Sequence, residues 1–359
     1  MIITKRTPIF VYLFCCLAAA VAVPAARAQE KPWRVKIVIL STFERGEDTG
    51  DEPGEFQFWV EREHLDQKLP FPGGVRPLRA SADHSILGVV TGTTLVNAAS
   101  TVMALGLDPR FDLTQAYWLV NGIAGGNPAY ASLGSAAWAS FVVNDVAREI
   151  DPREAPADWP YGLFAIGANA PDKLPDQPLL VNDRVNAYAL NAALAEWAFE
   201  LTRNLKLQDT PAMQAVRETW KGFPNAQRAP FVLKGDSFAS DYYWHGKIMT
   251  QYAENWVKMW TNGRGTFAMT EMEDSAVAEA LHRLGAMHRA DFQRLMVLRT
   301  ASNYCMPAPG HTAVESVNAP YAGYLPALES AYAAGSSVVH ALLANWSQYA
   351  NHIPGPSAR

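Results

Sequence analysis

The chain has 359 residues, about half of them apolar (49%), with eleven Trp and a formal net charge of −5. That much apolar surface folds around one large core. The mild acidity argues against a nucleic-acid surface, which needs clustered Lys and Arg to neutralise phosphates.

The first 28 residues read as an export signal: Lys5 and Arg6, an apolar run from Ile9 to Val23, then Ala26-Arg27-Ala28 as a cleavage site. The apolar run is shorter than the roughly 20 residues that span a bilayer. The mature chain, 29–359, is therefore expected outside the cytoplasm, periplasmic or secreted, with no integral membrane segment left. Losing Lys5, Arg6 and Arg27 leaves 27 basic against 35 acidic residues, a net charge of −8. Cys15 and Cys16 leave with the signal, so Cys305 has no partner for an intramolecular disulfide.

Val35–Leu40 is a β-branched apolar run and predicts a buried strand. A loop rich in Gly and acids follows, from Glu44 to Glu55. The spacing of Phe56, Trp59, Val60 and His64 predicts a helix ending before Pro70. Ile86–Thr91 reads as a second strand, broken by Gly92, and Val96–Leu105 as an Ala-rich helix. Tyr117–Val120 predicts a strand entering a loop, Asn121-Gly122-Ile123-Ala124-Gly125-Gly126; Ala137–Val143 predicts another strand. Residues 151–178, rich in Pro and Gly, read as a surface excursion, and 151–228 as one long insert in a single domain. Val181–Leu205 has helical periodicity with Asn182 or Asp183 as cap, and Thr210–Trp220 predicts a shorter helix. Phe231–Leu233 predicts a strand running into a loop at Lys234–Phe238. Further strands are expected at Gly265–Met269 and Leu295–Arg299, with helices at Ser275–Leu284 and Leu325–Trp346. Strands alternating with helices predict an α/β fold with a mixed, largely parallel central sheet flanked by helices.

Chemistry concentrates just after predicted strands, where open α/β sheets gather ligands. Thr91-Gly92-Thr93 and Asn121–Gly126 carry glycines that allow close backbone approach, although such glycines also serve plain turns. Gly235-Asp236-Ser237-Phe238 is the third segment. Glu271-Met272-Glu273-Asp274-Ser275 is the fourth: a Glu there can accept two hydrogen bonds from vicinal ribose hydroxyls, and Met offers an adaptable contact to a sugar face. The same acids also suit the first turn of a helix. Arg299-Thr300-Ala301-Ser302-Asn303 is the fifth, with an amide able to meet a base edge.

In this order the segments resemble the loops of the nucleoside phosphorylase and methylthioadenosine nucleosidase superfamily, and most of the mature chain is similar to the purine nucleoside permease family. The resemblance implies a nucleoside phosphorylase-like fold and a purine nucleoside ligand. It also implies ribose contacts at Glu271, Met272 and Glu273, base contacts at Phe238, Asn303 and Gly125, and catalytic roles for Asn303 and Glu44. It implies no cofactor, water or phosphate as co-substrate, and self-association into homo-oligomers. The 151–228 insert lies outside the pattern of the small enzymes.

Two departures bear on the reaction. Asn303 stands where adenine-processing enzymes have an Asp that protonates the leaving base, and an amide cannot deliver a proton. That general-acid step is typically worth about 10²–10⁴-fold. Val120 and Ile123 stand at phosphate-binding positions and cannot hold an anion, leaving Arg45 and Arg79 as substitutes. Hydrolysis is therefore favoured over phosphorolysis, with a non-catalytic nucleoside-binding or transport protein as the alternative.

Other signals carry less. His282 and His288 lack further ligands at zinc spacing, so no metal is expected. Asp48, Asp51, Glu52 and Glu55 lack the alternation of a calcium loop and read as a solvated loop. No Gly-x-Ser-x-Gly elbow is present.

Overall fold

The computed structural model describes residues 31–175 and 186–356. The expected signal and the caps assigned to Asn182 and Asp183 lie outside the described residues. Strand β1, Ile37–Ser41, is buried along its whole length. Ile37 and Ile39 pack into one core cluster and Val38 and Leu40 into another, as the two-residue side-chain period of a strand requires. Helix α1 (Gln57–Arg62), β2 (Ile86–Val90), α2 (Leu95–Leu107) and β3 (Tyr117–Gly126) follow. Then come β4 (Phe141–Asn144), α3 (Ala192–Thr202), α4 (Pro211–Glu218), β5 (Asp236–Ala239) and α5 (Lys247–Trp260). The chain continues through β6 (Phe267–Glu271), α6 (Asp274–Ala286), β7 (Leu295–Tyr304), α7 (Ala313–Val317) and α8 (Tyr324–Ala344).

Among the described residues these strands and several shorter ones form a twelve-stranded sheet with β4, β5, β6, β3, β1 and β2 side by side. Neighbours are parallel except where β6 meets β3, and β7 runs parallel to β3 along its other edge. The expected mixed, largely parallel α/β sheet is what forms. Helices α2 and α6 cover one face through Val102, Leu105, Val277 and Leu284. Helices α1, α3 and α8 cover the other through Trp59, Leu194, Val338 and Leu342.

Several expected loops are strands instead. Asn121–Gly126 continues β3, Asp236–Ala239 is β5, and Arg299–Tyr304 continues β7. The helix expected from Val181 begins only at Ala192, after a short edge strand, Ala187–Ala189. Its cap is Asn191, whose side chain accepts from the Ala193 and Leu194 amides. The 151–178 excursion is not all surface, since Tyr161, Leu163, Phe164 and Ala165 are buried. Within 151–228, α3 packs into the main core through Leu194 and Ala198.

Among the described residues no helix is long and apolar enough to cross a membrane.

A carboxylate-lined crevice at the strand ends

The site lies where β3 changes partners. One edge of β3 pairs with β1 through Tyr117–Val120 and then with β6 at Gly125–Gly126. Between them, no described strand pairs with residues 121–124 on that edge, and the diverging β1 and β6 open a crevice. A cavity of about 220 Å³ occupies it, bordered by Thr42, Phe43, Glu55, Thr93, Ile123 to Gly125, Tyr242 to Trp244, Thr270 to Glu273, Arg299, Ser302, Asn303, Cys305 and Tyr321.

Glu55 fills the gap in the ladder. Its carboxylate accepts from the Ile123 amide at 2.7 Å, the Thr42 amide at 2.6 Å and the Thr42 hydroxyl at 2.8 Å. Gly122 makes room for it, because a Cβ there would fall 2.5 Å from Glu55 Oε1 and 2.6 Å from Arg299 Nη1. Arg299, 2% exposed, is the hub. It donates to Asp274 Oδ1 at 2.6 Å and Glu273 Oε2 at 3.0 Å, reaches Glu271 Oε2 at 3.5 Å, and lies 3.8 Å from Glu55. Glu271 also accepts from the Glu273 and Asp274 amides, and Glu273 from the Thr94 and Met272 amides.

Four buried carboxyls thus surround one guanidinium, an excess of three negative charges if all were ionised. Burial disfavours that state. The Ser237 hydroxyl lies 2.5 Å from Glu271 and 2.7 Å from Asp274. A hydroxyl has one hydrogen to give, so one of those two contacts needs a protonated carboxyl. Burial pushes Glu271 up to about 8 and Glu55 up to about 7, and it also raises Glu273. Burial alone would lower Arg299, but the surrounding acids hold it well above its usual value.

Asn303 is aimed by a β-bulge, the register of β7 on β3 shifting between Ala301 and Asn303. Its amide oxygen accepts from the Ser302 hydroxyl at 2.9 Å. Its amide nitrogen donates to Tyr304 O at 3.1 Å and to the Tyr243 hydroxyl at 3.3 Å. The Tyr243 and Tyr321 hydroxyls bond at 2.9 Å.

Five of the residues expected at the site, Gly125, Glu271, Met272, Glu273 and Asn303, border this one cavity. Two do not. Phe238 is fully buried against Trp244, Tyr252 and Phe267, because β5 turns it into the core instead of towards a ligand. Glu44 is a backbone staple: its carboxylate accepts from the Arg45, Gly54, Phe56 and Gln57 amides. The acid of this loop that reaches the crevice is Glu55, which the solvated-loop reading missed, and Asp48 of the same loop is buried between Arg76 and Arg79. Arg299, Tyr243 and Tyr321 were also missed. The signal for Glu55 was its position just before the apolar run Phe56, Trp59 and Val60, which carries it down to the sheet. Of the two positions read as phosphate-binding, Ile123 borders the cavity and Val120 lies in the core. Arg45 pairs with Glu52, Arg79 pairs with Asp48, and neither borders the cavity.

The sheet is mixed and covered on both faces, with the crevice at its strand ends, and it has the fold of the nucleosidases. Solved structures agree. Futalosine hydrolase of Helicobacter pylori superimposes with a TM-score of 0.53 at 15% identity, covering 86% of this chain and 98% of that one. The 5′-methylthioadenosine/S-adenosylhomocysteine nucleosidase of Helicobacter pylori does so with a TM-score of 0.53 at 14% identity, covering 86% and 100%. Residues 34–354 match the purine nucleoside permease (NUP) family, and the chain belongs to it. A purine nucleoside permease of Candida albicans is 31% identical over 297 residues, 80% of this chain and 72% of that protein. A probable purine nucleoside permease of Schizosaccharomyces pombe is 29% identical over 280 residues, 76% and 80% of the two chains.

Proposed function

We propose that the crevice binds a purine riboside and hydrolyses its N-glycosidic bond. The observation that carries this reading is the convergence of Glu55, Met272, Glu273 and Asn303 on one cavity. In this arrangement Glu273 takes the ribose hydroxyls, Met272 packs on the sugar face, and Asn303 hydrogen-bonds the base. The transition state of glycosidic cleavage carries positive charge on the sugar, which the acid-rich floor favours. Glu55, poised at about 7, suits a general base that takes a proton from the attacking water near neutral pH. Asn303 supplies orientation and a hydrogen bond to the base but no proton.

Water is favoured over phosphate by what is already bound. The Thr42, Ile123 and Thr94 amides, which could cradle an anion, donate to Glu55 and Glu273. The cavity's guanidinium, Arg299, is surrounded by acids. A phosphate would enter a field that already carries excess negative charge.

The second reading is capture without cleavage, in service of uptake, and Asn303 is the observation that favours it. A Helicobacter pylori nucleosidase mutant with an Asp-to-Asn change holds 5′-methylthioadenosine in its active site (TM-score 0.52, 15% identity, covering 86% and 99%). Export of the mature chain remains part of the proposal and fits either reading.

Incubating the purified chain with adenosine, inosine and guanosine, with and without phosphate, and measuring free base separates them. Release of base that phosphate does not accelerate supports hydrolysis. Stimulation by phosphate that saturates defeats it, and calorimetric binding without release establishes capture.

A further inference from the structure

Beside the crevice lies a second cavity of about 230 Å³ that the proposed reaction does not use. The two share Ser302, Asn303 and Tyr321 as a common wall. Its floor is aromatic: the rings of Trp220 and Tyr304 lie 4.2 Å apart, both nearly fully buried. The Tyr304 hydroxyl is anchored by donating to Ala226 O at 2.9 Å, so the floor is fixed in place. Val216 and Trp220 come from α4 and the turn after it, within 151–228.

We propose that this second cavity is a subsite of the same ligand, taking an apolar or aryl substituent on the base edge that faces Asn303. An Asn amide pairs with the N7 and 6-position edge of adenine, so the preferred ligands are purine ribosides enlarged at the 6-position. This inference rests on the purine-riboside reading of the crevice. Three features set the chemistry. Flat aromatic walls suit an aryl or unsaturated alkyl group, which gains by leaving water and by ring stacking. Glu315 and His311 both line this cavity; the Glu315 carboxylate, bound into the Thr312 capping box, disfavours an anionic extension. The partition is light: Tyr243 and Tyr321 are 50% and 41% exposed and are joined by a single hydroxyl–hydroxyl bond, and one exposed neutral hydrogen bond holds weakly. A swing of Tyr321 joins the two cavities at Asn303, the residue assigned to the base.

The test titrates the full chain by calorimetry with adenosine and with adenosine carrying a benzyl group on its exocyclic amine. The benzyl compound is expected to bind at least about tenfold more tightly, the return for burying one ring. Val216→Trp, which fills the cavity, should remove that advantage while leaving adenosine affinity within about twofold. Thr219→Trp, at an exposed position on the same rim, repeats the test without disturbing the core. Equal or weaker binding of the benzyl compound by the unaltered chain overturns the subsite and leaves the nucleoside reading standing, as does an advantage that survives both variants. Failure of both compounds to bind overturns both.

Discussion

Glu44 and Glu55 sit eleven positions apart in one acidic loop and do opposite things. Glu44 spends its oxygens on four backbone amides that fold the loop back on itself. Glu55 spends its own on the open edge of β3 and faces the cavity. Glu55→Gln keeps an acceptor for Thr42 or for Ile123, which use different oxygens of Glu55, and loses the base. Base release, followed in single turnovers, is expected to fall about 10²–10⁴-fold while riboside affinity changes little. Glu44→Gln should do the reverse, lowering urea stability by about 1–3 kcal/mol with little effect on the rate constant. A matching loss of rate in both variants would show that Glu55 acts only through the fold. Glu273→Ala tests the sugar assignment: it should weaken ribosides far more than free bases in calorimetry, and equal losses would remove Glu273 from the ribose.

Strand β3 is the element on which the site depends, because it loses one partner before gaining the next. The gap needs Gly122, whose absent side chain lets Glu55 and Arg299 close on each other. Gly122→Ala is expected to cost about 1–3 kcal/mol in urea unfolding, as overpacking does in a fixed environment. It should also abolish base release in a chain that still folds, and full activity in Gly122→Ala would mean that the contact is not needed. The same element shows what the sequence concealed. The apolar runs of β1 and β2 and the periodicity of α8 were legible because burial alone specifies them. Asn121–Gly126 reads as a loop because Gly and Asn disfavour strands. It is held extended by its parallel pairing with β7, a contact between segments some 175 residues apart that no local pattern records. Phe238 was misplaced for a related reason: a residue expected on a loop tip lies in β5, whose pleat turns it inward. The acid pair around Met272 was placed at the site by the family resemblance, its own spacing suiting the first turn of a helix equally well. The guanidinium that binds it was not, since Arg299 is fixed by tertiary packing alone.

For the molecule as a whole, the acid cluster is a stability cost that depends on pH. Glu55 and Glu271 ordinarily titrate near 4.5 and are held at about 7 and about 8 in the fold, chiefly by burial. The folded chain therefore binds these protons more tightly than the unfolded chain does. The resulting stability is fully present below about pH 4.5, is lost as pH rises through 7 to 8, and changes no further above that. Asp145 and Asp236, also raised by burial, act in the same direction. Asp83, Asp108 and Asp209 are lowered from 3.8, so their opposing contribution falls below that pH. His245, lowered from 6.5 by burial, opposes the trend inside the window as pH rises towards 6.5, one group against the raised acids. The ligand-free chain should thus melt at progressively lower temperature from pH 5 to pH 8, with a total change on the order of a few kcal/mol. Glu271→Gln removes one of the protons involved and keeps an oxygen to accept from the Glu273 and Asp274 amides. It should flatten the slope and leave the variant more stable than the parent at pH 8. Calorimetric melts of both proteins across that range measure the difference. A parent whose stability rises with pH there would mean that the four acids stand fully ionised around Arg299, and the proton assigned to the Ser237 contacts would have to be withdrawn.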